Sequence, residues 1–399
     1  MNILQVTLAF PPAYAWGGPV KTVYLSCKEL VRRGHRVTVY CSNLLDKKSK
    51  IRKGTFEDEI DGVRVVYFDS WNLKRWPGTL GPVWLPELSG YIQRELDRFD
   101  VVHLNAFRNI MQHPVIRAAK HKRIPYVVQP HGTLPIVVNS LAIKRLYDRF
   151  LAGQELSGLS ALVALQESER LQAIEHGVPY DRIQIIPNGV DITEREKLPE
   201  PGAFRGKYGL KKRQPIILFL ARINKKKGTD MLVEAFAKMG ESHDACLVIA
   251  GPDDGQLSEV RQLVRKFGLE KRVIFTGLLS FQQVLEAFQD ADLFVLPCRT
   301  DTFPMAIVEA CLTETPMVIT DRCEIAHIVK DRVADVVPFD APLFAKAMSD
   351  LLSSRERREL YKRNCMEVLE GAFSLKAVGD RVEALYRRIV AEFHSKSRN

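Results

Sequence analysis

Met1-Asn-Ile-Leu-Gln-Val-Thr-Leu8 opens the chain as a short apolar run with the length of a buried strand. Pro11, Pro12, Gly17, Gly18 and Pro19 follow, a loop that breaks any regular element. Val20, Val23, Cys27, Leu30 and Val31 then recur at helical spacing, and Gly34 closes that helix. His35-Arg-Val-Thr-Val-Tyr40 is the next strand. Strand, loop, helix and strand in this order predict a parallel βαβ unit, and hence a sheet covered on both faces.

The same alternation runs outward from this unit. Strands are expected at Val63–Phe68, Val101–Leu104, Tyr126–Gln129, Ala161–Leu165 and Ile183–Ile186. Residues 194–214 break the pattern: Glu194-Arg-Glu-Lys-Leu-Pro-Glu-Pro-Gly202 is charged, Pro-containing and aperiodic, so it reads as a hinge or linker. A second alternation begins at Ile216–Leu220 and continues through Cys246–Ala250, Val273–Phe275, Leu293–Leu296 and Pro316–Ile319. Ser374–Phe393 is one long amphipathic helix. The expected fold class is therefore α/β, with two doubly wound halves, 1–193 and 215–373, and a terminal helical segment, 374–399.

The chain has 399 residues and a formal net charge of +10, with 46% hydrophobic and 27% charged side chains. That is ordinary globular usage, which excludes a largely disordered chain. The seven cysteines include no C-x-x-C pair, so neither a disulfide framework nor a zinc site is expected, and a reducing cytoplasmic setting fits. The longest purely apolar run, Pro215–Ala221, is far short of the ~20 residues that span a bilayer. No Lys or Arg precedes the apolar start of the chain, and Pro11-Pro12 interrupts it, so a signal peptide is not expected. Residues 1–195 hold about 26 basic and 19 acidic side chains, so roughly +7 of the charge lies in that half. No helix-turn-helix, zinc or RRM-type signature accompanies those cations, which argues against a nucleic-acid partner.

Four segments carry candidate chemistry. Trp16-Gly17-Gly18-Pro19 lies between the first strand and its helix, where glycine admits a close backbone and the helix N-terminus favours an anion. It is not G-x-G-x-x-G, so the dinucleotide fingerprint fails. Arg222-Ile-Asn-Lys225-Lys226-Lys227-Gly228 places cations after the first strand of the second half, suited to a diphosphate. Asp301-Thr302-Phe303-Pro304-Met305 leads into a helix carrying Glu309, eight residues beyond Asp301. Pro304 suits a first helical turn, and the N–H groups of Phe303 and Met305 are expected at its mouth. Gln129-Pro-His131-Gly132 ends a first-half strand. Taken singly, each has a bland reading as a turn, a solvated loop, a cap or a satisfied histidine. Together they occupy strand C-termini, where open α/β sheets bind ligands.

These residues resemble a known family, the retaining glycosyltransferases of family GT4, with the GT-B fold of two facing Rossmann-like domains and an interdomain cleft. The resemblance covers nearly the whole chain. It rests on Gly17-Gly18, Arg33-Gly34-His35-Arg-Val-Thr-Val39, Ile186-Pro187-Asn188-Gly189-Val190-Asp191, Arg222 with Lys227-Gly228, Ile249-Ala-Gly251, Phe275-Thr-Gly277 and the run ending Glu309-Ala310. It implies that the first domain is the acceptor side and that the second binds the nucleotide sugar. Arg222 and Lys227 would grip the donor diphosphate in place of a metal, with a backbone N–H at Gly17 or Gly18. Glu309 would hold the ribose. Gly277 and Leu278 would border the base. His131 would lie beside the sugar and help hold it or its leaving oxygen. Asp301 would take the first acidic position, near the donor sugar, with Thr302, Phe303, Pro304 and Met305 lining the site. Two departures are visible: the family usually has Glu where Asp301 stands, and often Gly-Phe-Gly where this chain reads Thr302-Phe303-Pro304.

The resemblance implies transfer of a hexosyl unit from a nucleotide-diphosphate sugar, a UDP-sugar in preference to a GDP-sugar, to an acceptor hydroxyl with retention. Polysaccharide or glycolipid biosynthesis, on a glycan or lipid-linked glycan acceptor, is the implied setting. A nucleotide-sugar epimerase on the same fold and a non-catalytic nucleotide-sugar-binding relative are the alternatives. Asp290-Ala-Asp292 has the D-x-D pattern of metal-dependent transferases, but at a helix end it reads as capping, and no essential metal is expected. The segment Ala142–Leu151, with Ile143, Leu146, Tyr147 and Phe150 on one face, reads first as a core-facing helix. Its cations also suit weak peripheral association with an anionic membrane at the cytoplasmic face.

Overall fold

The computed structural model describes residues 1–72, 83–135, 145–240 and 243–396. Its contacts divide the chain into two units, Met1–Gly189 with the segment from Leu375, and Val190–Ser374. The charged stretch 194–214 lies inside the second unit, where it carries a 3₁₀ turn, Ile192–Lys197, and a helix, Ala203–Tyr208. The chain leaves the first unit at Gly189 and re-enters it at Leu375.

The first unit contains β1 (Asn2–Val6), β2 (Arg36–Ser42), β3 (Phe56–Ile60), β4 (Val63–Phe68), β5 (Trp71–Asn72), β6 (Val83–Trp84), β7 (Val101–Asn105), β8 (Tyr126–Gln129), β9 (Ala161–Ala164) and β10 (Ile183–Ile185). Eight of them form one sheet in the order β10-β9-β8-β7-β1-β2-β4-β3, and β5 pairs with β6 separately. All pairs in the large sheet are parallel except β3 with β4. β3 is a charged edge strand whose Glu57, Asp58 and Glu59 are exposed, so it shows no apolar alternation to read. It joins β4 through Asp61-Gly62, both at positive φ, as a tight hairpin requires.

Strand residues divide between two cores by parity. Leu4, Val6, Val102, Leu104 and Val128 pack on one face. Ile3, Val39, Val101 and Val127 pack on the other, with Val23 and Cys27 of the helix Gly18–Arg32 and Val382, Leu385, Tyr386 and Ile389 of the helix Leu375–Lys396. The first of these helices ends in a left-handed Gly34, with Gly34 N–H bonded to Val31 O at 2.9 Å and His35 N–H to Leu30 O at 3.1 Å. Arg33 then ties the two helices together, reaching Glu29 at 2.8 Å, Asp380 at 2.7 Å and the Lys376 carbonyl at 2.7 Å. The same face carries a polar row at its C-terminal end, because Gln5, His103, Asn105 and Gln129 share the parity of Ile3, Val101 and Val127.

The second unit contains β11 (Ile216–Leu220), β12 (Cys246–Ala250), β13 (Val273–Gly277), β14 (Leu293–Leu296), β15 (Met317–Thr320) and β16 (Ala334–Val337). They form one parallel sheet in the order β13-β12-β11-β14-β15-β16. The order reverses at β11, flanked by the strand that follows it and by β14. In the first unit it reverses at β1, flanked by β2 and β7. Such reversal points open a crevice at the carboxyl ends of the strands. No helix among the described residues is long and apolar enough to cross a membrane.

Gly189 sits where its absent side chain matters. A Cβ there would stand 2.8 Å from the Leu375 Cα, a backbone atom that cannot swing aside. Gly189→Ala is therefore expected to destabilise the first unit by about 1–3 kcal/mol. Thermal unfolding checks this, and an unchanged midpoint would show that the two segments can separate freely.

Candidate active site

In the second unit three loops converge at the carboxyl ends of β11, β12 and β14. The loop after β11 forms a 3₁₀ turn, Lys225–Lys227, capped by the Asn224 side chain, which accepts from Lys227 N–H at 3.3 Å. Gly228 follows in the left-handed region, φ 68°. A Cβ at Gly228 would lie 1.8 Å from the Pro297 carbonyl oxygen, in the loop after β14. Gly251, after β12, has φ 139°, and a Cβ there would lie 1.9 Å from the Ala221 carbonyl oxygen. Only glycine fits at either point.

These close approaches bring charges together. The Lys227 ammonium pairs directly with the Asp301 carboxylate, both side chains being largely shielded from solvent. Arg222 Nη1 donates to Asp254 Oδ2 at 2.9 Å, and Asn224 Nδ2 donates to the same oxygen at 2.9 Å. Arg299 forks onto both oxygens of Asp230 at 2.8 and 2.7 Å, and donates from Nη1 to the Lys225 carbonyl at 2.7 Å. Neither Asp254 nor Arg299 was legible as part of the site. Asp254 belongs to a Pro-Asp-Asp-Gly turn, and Arg299 precedes Asp301 with no spacing signal.

The remaining residues of this unit surround that centre. Gly251 N–H donates to the Gly277 carbonyl at 2.9 Å, so the end of β13 is tied to the loop after β12, and Leu278 beyond it is exposed. Thr302 is half-buried, Phe303 and Pro304 are buried, and Phe303 packs edge-on against Phe373 at 5.5 Å. Phe303 is thus a core side chain. The helix Met305–Leu312 begins directly after Pro304 without a side-chain cap, so its first N–H groups have no such partner. Glu309, in its second turn, is buried.

Asp290 and Asp292 take no part in this centre. Asp290 accepts from Gly202 N–H at 2.6 Å and Arg205 N–H at 2.8 Å, holding the start of the helix Ala203–Tyr208. Asp292 accepts from Ile216 N–H at 2.8 Å and Arg205 Nη2 at 3.0 Å.

In the first unit, Gly17 caps the helix Gly18–Arg32 at φ 89°, directly after a 3₁₀ turn, Tyr14–Trp16. His131 follows β8 in the left-handed region, φ 52°, beside Gly132 at φ 75°. The turn is clamped: Gly132 N–H donates to Glu169 Oε1 at 2.6 Å, and Arg108 donates to the carbonyls of Thr133 and of Leu134, the latter at 2.7 Å. His131 Nε2 lies 3.0 Å from Asn105 Oδ1. Burial pushes its pKa down to about 4, so the ring is neutral at physiological pH. His103, behind it on β7, is pushed down to about 3 by burial first and by His131 second. His131, Asn105, Gln5, His103 and Asn188 line one small cavity. The face expected on Ala142–Leu151 is divided: Tyr147 is buried against His113 at 2.6 Å and Glu155 at 2.8 Å, whereas Leu146 and Phe150 are exposed. Residues 142–144, with Ile143, lie outside the described residues.

Comparison with known proteins completes the picture. Residues 17–189 match the glycosyl transferase 4-like domain, and residues 202–367 match the glycosyl transferases group 1 domain. The chain is 30% identical to alpha-D-kanosaminyltransferase of Streptomyces kanamyceticus, over 72% of this chain and 70% of that one. Its backbone is similar to sucrose-phosphate synthase from Thermosynechococcus elongatus, with TM-score 0.77, 18% identity, and coverage of 98% of this chain and 99% of the other. It is also similar to Anabaena HepE in complex with UDP and glucose, with TM-score 0.74, 17% identity, and coverage of 96% and 98%. The doubly wound sheets, the converging loops and these matches agree: the chain belongs to the GT-B glycosyltransferases.

Proposed function

We propose that this glycosyltransferase is a retaining enzyme of the GT4 kind, moving a hexosyl unit from a UDP-sugar to an acceptor hydroxyl without an essential metal. The observation that carries the reading is the Lys227–Asp301 pair at the reversal point of the second sheet, held there by the Gly228–Pro297 approach. Breaking the glycosidic bond of a nucleotide sugar leaves an oxocarbenium-like sugar and a diphosphate. The protein's largest contribution is to stabilise negative charge on that diphosphate. Lys227 and Arg222 supply cations of the right kind.

In the free protein each is neutralised by an acid, Asp301 and Asp254. Donor binding then becomes an exchange. The diphosphate takes the two cations, and the Asp301 carboxylate, released from Lys227, turns to a sugar hydroxyl. The first N–H groups of the uncapped helix Met305–Leu312 add donors at the same place, one fewer than with glycine at position 304, since proline has no N–H. Glu309 holds the ribose, Gly277 and Leu278 border the base, Gly17 and Gly18 bring a backbone N–H to the phosphate, and His131 borders the sugar. The transferred group comes off and on through the same face, with the leaving phosphate accepting the proton of the incoming hydroxyl. The names of relatives support the donor class: HepE was crystallised with UDP and glucose, and kanosaminyltransferase is by name a glycosyl transfer enzyme.

The acceptor we propose is a glycan or lipid-linked glycan, reached at the cytoplasmic face of a membrane. Exposed Leu146 and Phe150 beside exposed Arg145 and Arg149 support weak peripheral binding.

Lys227→Ala is expected to lower turnover about 10²-fold or more, by analogy with loss of one oxyanion donor. Near-normal turnover in a steady-state assay would remove Lys227 from the phosphate clamp. In EDTA, UDP at 100 times its dissociation constant should stabilise the protein by about 2.7 kcal/mol, and NAD should not. Thermal unfolding with UDP, GDP, ADP and dTDP reads this directly, and a shift that appears only with Mg²⁺ would overturn the metal-free reading. Vesicles containing anionic lipid should carry the protein upward in a flotation assay, and a Leu146→Ser, Phe150→Ser variant should stay behind. Equal flotation of both would count against this surface.

A further inference from the structure

The polar row beneath the C-terminal helix has a direction that can be worked out atom by atom. The Val6 carbonyl can only accept, and the Asn105 side-chain atom 3.4 Å from it is therefore the nitrogen, Nδ2. The same Nδ2 donates to Gln5 Oε1 at 2.8 Å. Asn105 Oδ1 is left facing His131 Nε2 at 3.0 Å. An amide oxygen can only accept, so the proton of the His131 ring sits on Nε2. The row continues away from the site: Gln5 Nε2 donates to the Tyr386 hydroxyl at 3.1 Å, and that hydroxyl lies 2.5 Å from His103 Nδ1. Asn105 is buried, and turning its side-chain amide over would set its oxygen against the Gln5 oxygen and the Val6 carbonyl, so the bonds of Nδ2 fix its orientation.

The other ring nitrogen is in a different condition. His131 Nδ1 is enclosed and has no hydrogen-bond partner among the described residues. With the single ring proton committed to Asn105, Nδ1 carries a bare lone pair. The ionisable groups around the ring keep it that way. His103 on β7 is itself neutral, Tyr386 on the C-terminal helix is a hydroxyl whose pKa burial raises, and the Glu169 carboxylate is taken by Gly132 N–H and by Leu165 N–H at 2.7 Å. Arg108, clamping the following two carbonyls, is paired with Asp148 at 2.7 Å.

We propose that Asn105 is a positioning residue that fixes His131 as the Nε2–H tautomer, so that Nδ1 meets a hydroxyl of the transferred sugar only as a hydrogen-bond acceptor. This rests on the reading that His131 borders that sugar. It also narrows the histidine's role. A neutral ring whose only proton is held by Asn105 orients a hydroxyl, and it has no proton to give to a leaving oxygen. Stabilisation of the leaving diphosphate then falls to Lys227, Arg222 and backbone N–H groups.

The full chain labelled with ¹⁵N-histidine tests this without any variant. Nitrogen shifts should show His131 with a protonated Nε2 and a bare Nδ1 between about pH 6 and 8, where an ordinary histidine titrates. A proton on Nδ1, or a charged ring at neutral pH, would overturn the assignment. Asn105→Asp puts a carboxylate against Nε2 and should raise the His131 pKa through neutrality, giving Nδ1 a proton. Its kcat with a UDP-hexose should fall about tenfold or more below the new pKa and recover above it, the loss of one well-placed hydrogen bond. The donor KM should change much less, and UDP affinity should not change. A raised pKa with a flat kcat profile would show that Nδ1 does not face substrate. If wild-type protein neither binds UDP nor turns over a UDP-hexose, the donor reading fails, while the tautomer result stands on the resonance data alone.

Discussion

The Pro297 carbonyl oxygen occupies the place where a side chain at position 228 would begin. Much of the second unit's site follows from that single exclusion. Because residue 228 is glycine in the left-handed region, the helix Thr229–Met239 can start immediately against the end of β14. The three lysines before it are thereby pressed onto the loop that carries Arg299 and Asp301. Gly251 repeats the device one strand away, against Ala221. The diphosphate site proposed above would need donors from several loops held at fixed spacing. Two backbone-to-backbone contacts supply that rigidity with no side chain in the way.

Three cations of this centre are already paired with acids. Lys227, Arg222 and Arg299 each face one acid, Asp301, Asp254 and Asp230. The three pairs are not equivalent. The Arg222 side chain is 46% exposed, so its pair is screened by water and weakly held. Lys227 and Asp301 are only 19% and 15% exposed, so neither can lose its partner without a replacement. On the donor reading proposed above, that asymmetry would order events: a diphosphate attracting Arg222 alone would leave the inner pair closed, and one reaching Lys227 would also have to supply a group for Asp301. A sugar still attached to its diphosphate would do both. The short side chain of Asp301, one methylene less than glutamate, suits the closeness of this pairing.

The alternating pattern was legible because the strands of a doubly wound sheet are buried on both faces and read as continuous apolar runs. What escaped was one edge strand of each large sheet, with the short β5–β6 pair, whereas the edges β10 and β13 were read. β3 is written in glutamate and aspartate, and β16, Ala334–Val337, follows a charged turn. Glycines and cations at strand ends were visible because their types are unusual there. The partners that orient them were not. Asn105 carries no spacing signal at the end of its strand, and Tyr386, far along the chain, reads as a core aromatic of an amphipathic helix. Their roles come from the parity of β1 and β7 and from where the helix Leu375–Lys396 lies on that sheet, and neither fact is local in sequence. Parity also explains why the row beneath the C-terminal helix is polar: at the carboxyl end of the sheet, Gln5, His103, Asn105 and Gln129 point the same way as the buried Ile3, Val101 and Val127 earlier in the same strands.

Asp290-Ala-Asp292 shows how far a motif goes without geometry. Two acids separated by one residue match a metal-binding pattern, yet a carboxylate offers an ion only the lone pairs it has not already given. Both Asp290 oxygens receive backbone N–H groups at the start of the helix Ala203–Tyr208, and Asp292 receives one from Ile216 at the start of β11. Arg205 closes the group, reaching the Asp290 carbonyl at 2.9 Å and Asp292 at 3.0 Å. Removing either acid to serve a metal would leave buried N–H groups and a guanidinium unmatched, at a cost of about 1–3 kcal/mol for each. The two aspartates instead join the helix Ala203–Tyr208 to the amino end of the second sheet, the end opposite to the one where Lys227 and Asp301 meet.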